Sequence, residues 1–486
     1  MHFFQKYKSN IFTIWLLTIL MLLCVLTIPS APFSNYIFIP IVFCKIIPRF
    51  RFGIVFLMTL VLGMFGSKNF FSMHVYNLNT NDPIVVLFGK ASQMLPFIDH
   101  QIYYSILGVI VYLVIFFAIC LTVKIIFRKF HFYTSTGLVF IIMSIIWASQ
   151  WALSSKTALS YVFGLSAIML AHHAFYIFNF IKFFNVVPKT KERVFALFQP
   201  FWFLTFEIPE NPIMQIGKSK NDELENVRKA FYLIGSSLIF KCLLVVCMSL
   251  FYFFRFKQFV LVADESKMFF NVYIPIFSNW RSENVFLLIT TIFFSSLSYL
   301  VSGFFVYGTI LVGVARLCGF MLPNYIDRPW RSSSFADFFS RTMYYYNIII
   351  INLFFYPALD FSRKFILSKK MRIFLCLNWA LIFGGFFARF MKDIYQVYLL
   401  GFQGSLLKTG TTSLAYLIVL AFSVSISLYF YKKKPELENG NKIGKMLFYI
   451  FIYGLINPLN YSRVFGGIEQ MLHFYLKVFS LGLIAF

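Results

Sequence analysis

Long uncharged apolar runs alternate with short basic connections along nearly the whole of the 486-residue chain. The first run follows Lys6 and Lys8 and extends from Ser9 to Cys44. It is longer than a signal-peptide core, and Ser30-Ala31-Pro32 puts proline where cleavage needs a free position, so an uncleaved helix over about residues 11–29 is expected. A second short hydrophobic piece reaches Cys44, and a third covers 52–66. Further spans are expected at about 103–127, 133–154, 157–181, 230–254, 285–315, 342–359, 373–388, 394–407, 409–431, 446–462 and 470–486. Val194–Phe206 is too short to span at about 1.5 Å per residue, which predicts a re-entrant or interfacial helix. The pattern predicts an all-α polytopic integral membrane protein of about 11 transmembrane helices plus re-entrant or interfacial helices. It reads as a single membrane-embedded unit over 1–486, without a soluble domain or an internal repeat.

Composition narrows the class. Hydrophobic residues make up 60% and charged residues only 13%, too few to cover the surface of a soluble enzyme of this size. A disordered protein is excluded on the same ground. The seven cysteines lie mostly in apolar runs without a Cys-x-x-Cys spacing, so neither a disulfide framework nor a metal site is indicated. Forty-three Lys and Arg against 18 acids give a net charge of +25. These cations cluster between apolar runs, where cytoplasmic loops and anionic headgroups explain them better than nucleic acid does. The loops 182–193, 360–372 and 432–445 and the N-terminus are therefore expected on the cytoplasmic side, and the cation-poor 67–102 stretch outside.

Candidate chemistry is sparse. No dinucleotide fingerprint, P-loop, nucleophile elbow or His-Glu-x-x-His zinc motif is present. His172-His173 lies within an uncharged span, where a polar pair is costly unless partnered. Gly404-Ser405 and Thr409-Gly410-Thr411-Thr412 read as loop punctuation. The densest polar stretch is 316–341, where Pro323 and Pro329 interrupt helix. There Ser334 is placed to cap a helix, with Asp337 in the acidic position of a capping box, and the helix over 335–341 is expected to run on into the 342–359 span.

The run Ala315-Arg316-Leu317-Cys318-Gly319-Phe320-Met321-Leu322-Pro323-Asn324-Tyr325-Ile326-Asp327-Arg328-Pro329-Trp330 is followed by Ser332, Ser334, Asp337-Phe338-Phe339, Arg341 and Tyr356-Pro357. It resembles the membrane-bound O-acyltransferase family, in the bacterial branch that acylates alginate and cell-envelope polymers, including the D-alanyl-transfer-like members. The resemblance is confined to about 45 residues, inside a motif-bearing core over about 285–400. It implies a tunnel in which acyl-CoA or acyl carrier protein delivers a short acyl group, acetyl-sized, from the cytoplasm to an extracytoplasmic glycan. It also implies an accessory envelope protein as partner beside the lipid bilayer, the bacterial inner membrane as location, and no bound cofactor or metal. The substrate-tunnel and motif residues would be Arg316, Asn324, Arg328, Asp337, Arg341, Asn352 and Asn378.

Two departures stand against ordinary catalysis. In this register the family's first polar site position holds Met343, and its histidine, a general base, is replaced by Gly384. Neither side chain takes a proton. Substitute bases to weigh are His172, His173, Asp337 and Asp393. Glycine is expected to leave space where an imidazole would sit, with Met343 facing it across a shared cavity. Two other classes stay open: a non-catalytic acyl-lipid-binding or assembly subunit, and a polysaccharide polymerase or flippase.

Overall fold

The computed structural model describes residues 41–51, 220–258, 269–366, 368–392, 396–430, 442–461 and 468–480, with scattered positions between 54 and 166. The first helix at 11–29, the short helix at 194–206, the 67–102 and 182–193 loops, His172, His173 and Asp393 lie outside the described residues. Of what is described, 87% is helical and no residue is in a strand. Among the described residues three helices are long and apolar enough to cross a membrane: Asp222–Phe256, Lys369–Met391 and Leu400–Tyr429. Val285–Tyr299 and Gly444–Leu459 are shorter apolar helices.

The chain divides into two compact units, one of Met1–Ile46, Gln215–Ile348 and Thr411–Phe486, the other of Ile47–Met214 and Ile349–Gly410. In the first unit α1 (Lys220–Phe256) packs along α4 (Thr309–Leu317). Between them in sequence come a π turn (Phe269–Tyr273), α2 (Ile274–Ser278), α3 (Val285–Tyr299) and a π stretch (Leu300–Gly308) that leads unbroken into α4. The expected 285–315 span is thus one helical rod with a widened middle.

The α1–α4 approach is set by small residues. A Cβ at Gly313 would stand 2.7 Å from Cγ1 of Ile234 and 3.5 Å from the Ala230 carbonyl oxygen, so only glycine lets the two backbones come this near. The buried face of α1 mixes apolar side chains, among them Ala230, Leu233, Ile234 and Met248, with polar ones. Asn226, Ser237, Lys241 and Ser249 are buried, whereas Ile239, Leu243, Val246 and Phe254 are exposed. Apolar side chains facing outward and polar ones inward suit a hydrocarbon solvent rather than water.

The rest of the first unit is built on the motif segment. A 3-10 turn (Pro329–Arg331) and α5 (Phe335–Thr342) lie against α11 (Lys442–Ile456). The last helix, α12 (Ile468–Phe479), grips the turn before α3. There Nζ of Lys477 donates to the carbonyls of Trp280, Arg281 and Glu283 at 3.1, 2.7 and 2.9 Å, and Arg281 donates to Gln470 at 2.6 Å.

In the second unit the chain leaves α6 (Tyr344–Ile350) through a π turn (Ile351–Phe355) into α7 (Tyr356–Ser362). Then α8 (Lys369–Trp379), a second π turn (Ala380–Gly384) and α9 (Gly385–Lys392) return alongside. The cations of the short link between α7 and α8, Arg363 and Lys364, and Lys369 and Lys370 at the start of α8, are all exposed.

Two expectations about continuity are corrected. The break expected near residue 408, between the 394–407 and 409–431 spans, is absent, and the Gly-Ser and Thr-Gly-Thr-Thr groups are not loops. Both groups lie in α10 (Gln396–Phe430), two helical pieces joined at a kink at Gly401 (φ 74°, ψ 166°), the longer running unbroken from 402 to 430. Ser405, Thr409 and Ser413, spaced four apart on one face, are buried, and small polar side chains of this kind pack within apolar helix bundles. Conversely, the helix opening at Phe335 does not run straight into the next span. It stops at Thr342, and Met343 (φ −114°, ψ 48°) turns the chain before α6 begins.

Candidate functional site

The motif opens with a helix stop that its sequence requires. Gly319 adopts φ 98°, a left-handed conformation open to glycine at little cost. The amide of Gly319 donates to the carbonyl of Arg316 at 2.9 Å and that of Phe320 to Ala315 at 3.1 Å. This pair of bonds is the Schellman closure, which satisfies the last carbonyls of α4 and reverses the chain. Arg316, in the last turn of α4, is buried. It donates through Nη1 to Oδ1 of Asn226 on α1 at 3.3 Å and through Nη2 to the carbonyl of Leu322. One guanidinium therefore ties the reversed loop to the longest helix of the unit, and it is consumed in doing so. Tyr325 lies flat against Gly308 in the π stretch, where no side chain would fit.

The second half of the motif is an ion-paired cap. Ser334 accepts from the amide of Asp337 at 3.1 Å, as an N-cap does. The carboxylate reaches one residue further back than a capping box would, accepting from the amide and hydroxyl of Ser333 at 3.0 and 3.1 Å. Its other oxygen takes Nε of Arg341 at 2.8 Å, and Nη1 of Arg341 reaches Oδ2 of Asp327 at 3.3 Å. The amide of Asp327 in turn donates to the carbonyl of Arg341 at 3.0 Å. The amide of Ala336, another of the first-turn donors, finds the hydroxyl of Ser427 on α10 at 3.2 Å. Asp337 is thus spent on the cap and on Arg341, leaving it poorly placed as a base.

The structure gathers some of the sequence candidates and separates others. Asp337 and Arg341 form one network, and Asp327 joins them without any signal in the sequence beyond its charge. Arg316 belongs to a different contact, with Asn226, a residue 90 positions away that nothing local in the sequence marks out. Asn324 is exposed. So is Arg328. It sits in a left-handed conformation (φ 46°, ψ 63°) at the tip of a proline turn, where its side chain is thrown outward.

In the second unit, Gly384 ends the π turn of the returning helix. A Cβ there would lie 2.6 Å from Cδ1 of Ile350 and 2.7 Å from Cδ2 of Phe354. The space expected for an imidazole is therefore already filled, because the two π turns bring these helices close enough for their side chains to close over the glycine. Phe354 is itself held edge-on by Phe383, with ring centroids 5.8 Å apart, and Phe387 lies at 6.4 Å. Asn378, buried on α8, donates to the carbonyl of Phe374 at 2.8 Å, and its Oδ1 has no hydrogen-bond partner. Asn352 lies in the first π turn, half-buried. Met343, in the first unit, is buried.

No family model matches the chain, and no curated protein matches it. Among the described residues no three His, Cys, Asp or Glu side chains are grouped so as to hold a metal ion. Of the seven histidines only His473, on α12, is described.

The first unit also contains a cavity that the sequence did not announce. It measures about 180 Å³ and is walled by Phe240, Leu243, Leu244 and Cys247 of α1, by Leu297, Leu300, Val301 and Phe305 of the α3 rod, and by Met446 and Ile450 of α11. Trp330 and Phe338 of the motif segment complete the wall.

Proposed function

We propose that this chain is a polytopic protein of the bacterial cytoplasmic membrane, with about 11 spans and its N-terminus inside, built on the membrane-bound O-acyltransferase arrangement. Its ancestral task on this reading is to pass a short acyl group from acyl-CoA or acyl carrier protein to an extracytoplasmic glycan, with an accessory envelope protein as partner. We further propose that the chain keeps the scaffold and has lost the usual chemistry. What carries this is Gly384: it stands where the family has its histidine, and Ile350 and Phe354 fill the space a base would need. Asp337, the carboxylate nearest in sequence to Met343, is occupied by Ser333 and Arg341. A missing general base costs about 10²–10⁴-fold in rate, so transfer from an ordinary acyl-CoA is expected to be slow or absent.

Labelled acyl donor supplied to membranes containing the full chain tests the reading. Incorporation at or near background, with folded protein present, is the expected result. Robust turnover by the purified protein would overturn it, and alanine substitution of His172, His173, Asp337 and Asp393 would then locate the substitute base.

A further inference from the structure

We propose that the first unit holds one anionic glycerophospholipid of the bilayer, with an acyl chain in the 180 Å³ cavity and its phosphate on Arg328 and Arg331. Two observations of different chemistry meet in one short turn. The cavity wall is hydrocarbon and aromatic ring apart from the Cys247 thiol, the Met446 thioether and the Trp330 indole nitrogen, and Phe240 and Leu243 at its side are exposed. Cavities of about 150 Å³ lined by Leu, Ile and Phe stay dry and accept apolar guests. In a membrane, the guest at such an opening is a lipid tail.

The turn Pro329–Arg331 supplies the other end of the ligand. Trp330 lines the cavity and is 39% exposed, and tryptophans of this kind sit at headgroup depth. Arg328 and Arg331 flank it, both exposed, and no hydrogen bond or ion pair among the described residues engages either side chain. The neighbouring carboxylate, Asp327, is taken by Arg341. Guanidinium groups bind phosphate through paired donors, and the strained left-handed backbone at Arg328 fixes where its side chain leaves the turn. The turn packs on α11, which opens within the basic 432–445 stretch expected on the cytoplasmic side, where anionic lipids lie. An apolar chamber with two unengaged cations at its rim fits a tail and a phosphate joined in one molecule. The proposal needs the chain to be in a membrane and does not need it to transfer acyl groups.

The test uses the full chain, delipidated in detergent and returned to nanodiscs of phosphatidylcholine with or without phosphatidylglycerol. Expected are retention of one phosphatidylglycerol by native mass spectrometry, a thermal midpoint raised above that in phosphatidylcholine alone, and at least tenfold slower maleimide labelling of Cys247. Arg328→Gln with Arg331→Gln removes the headgroup preference and leaves the fold, since neither side chain is engaged. Leu300→Trp fills the cavity and removes retention; should it fail to fold, the Cys247 protection carries the same information in the native chain. An unchanged preference in the double arginine variant, or Cys247 labelling indifferent to phosphatidylglycerol, overturns the proposal.

Discussion

Replacing Gly384 and Gly410 by alanine, one at a time, separates packing from helix propensity. Both glycines lie within helical backbone, so both gain about 0.5–1 kcal/mol from the greater helical preference of alanine. Their surroundings differ. At Gly410 a Cβ meets nothing within 4 Å, whereas at Gly384 it meets Ile350 and Phe354 at 2.6 and 2.7 Å. The Ile350 contact is with the end of a flexible side chain and can yield. The Phe354 ring cannot move as freely, because Phe383 and Phe387 lie against it. Forcing a methyl into such a site costs about 1–3 kcal/mol. Since propensity cancels between the two variants, their apparent unfolding midpoints in detergent should differ by that packing cost, with Gly410→Ala at or above wild type and Gly384→Ala below it. Gly384→His, which places an imidazole there, adds more atoms to the same space and should not yield folded protein. Trimming the obstacle in Gly384→Ala with Phe354→Leu should recover part of the loss, as coupled neighbours do. If Gly384→Ala is as stable as Gly410→Ala, the closure over Gly384 is absent and the explanation for the missing base fails with it.

Ser334→Ala removes the cap of α5 and should cost about 1 kcal/mol in the same assay; Asp337→Ala should cost more, because it also releases Ser333 and Arg341, and the double variant should be less than additive. Wild-type stability of Asp337→Ala would contradict this. Lys477→Met strips three carbonyls of their donor and should lower the folded yield, with the loss traceable to the turn before α3 by faster proteolysis there. Cysteines introduced into 67–102 should be labelled from the outer face of intact cells and those in 432–445 should not; the reverse pattern would invert the orientation.

What could be read from the sequence was local or compositional. Ser334 and Asp337 lie three residues apart, so the cap was visible without knowing anything of the fold. The apolar runs behind α1, α8 and α10 were visible because 18-residue stretches that are strongly apolar and carry at most two charges leave few alternatives. Thr409-Gly410-Thr411-Thr412 misled because such residues mark turns where water competes for the backbone. Inside an apolar helix no such competitor exists, and the same residues simply save space. The partner of Arg316 was hidden because Asn226 is brought to it by tertiary packing alone. The closure over Gly384 was hidden for the same reason, since it depends on how near two helices come. The outward turn of Arg328 was hidden because its left-handed backbone has no signal in the sequence.

The widened stretch Leu300–Gly308 has a consequence for how this rod tolerates change. An α-helix advances about 100° per residue, and a π turn holds one residue more than the α turn it replaces. The extra residue acts as a phase shifter: every side chain beyond it points to a different compass bearing than the chain before it would dictate. Arg316 is one of those side chains, and its bearing toward Asn226 is correct only with the shift in place. The same residues wound as ordinary helix, with none removed, would swing α4 by about 100°, carrying Gly313 off Ile234 and Arg316 away from its amide partner. Deleting one residue between 300 and 308 takes out the extra one, so the turn can close to α form with the bearing of α4 nearly kept. The rod should therefore tolerate the loss of one residue there better than the gain of another.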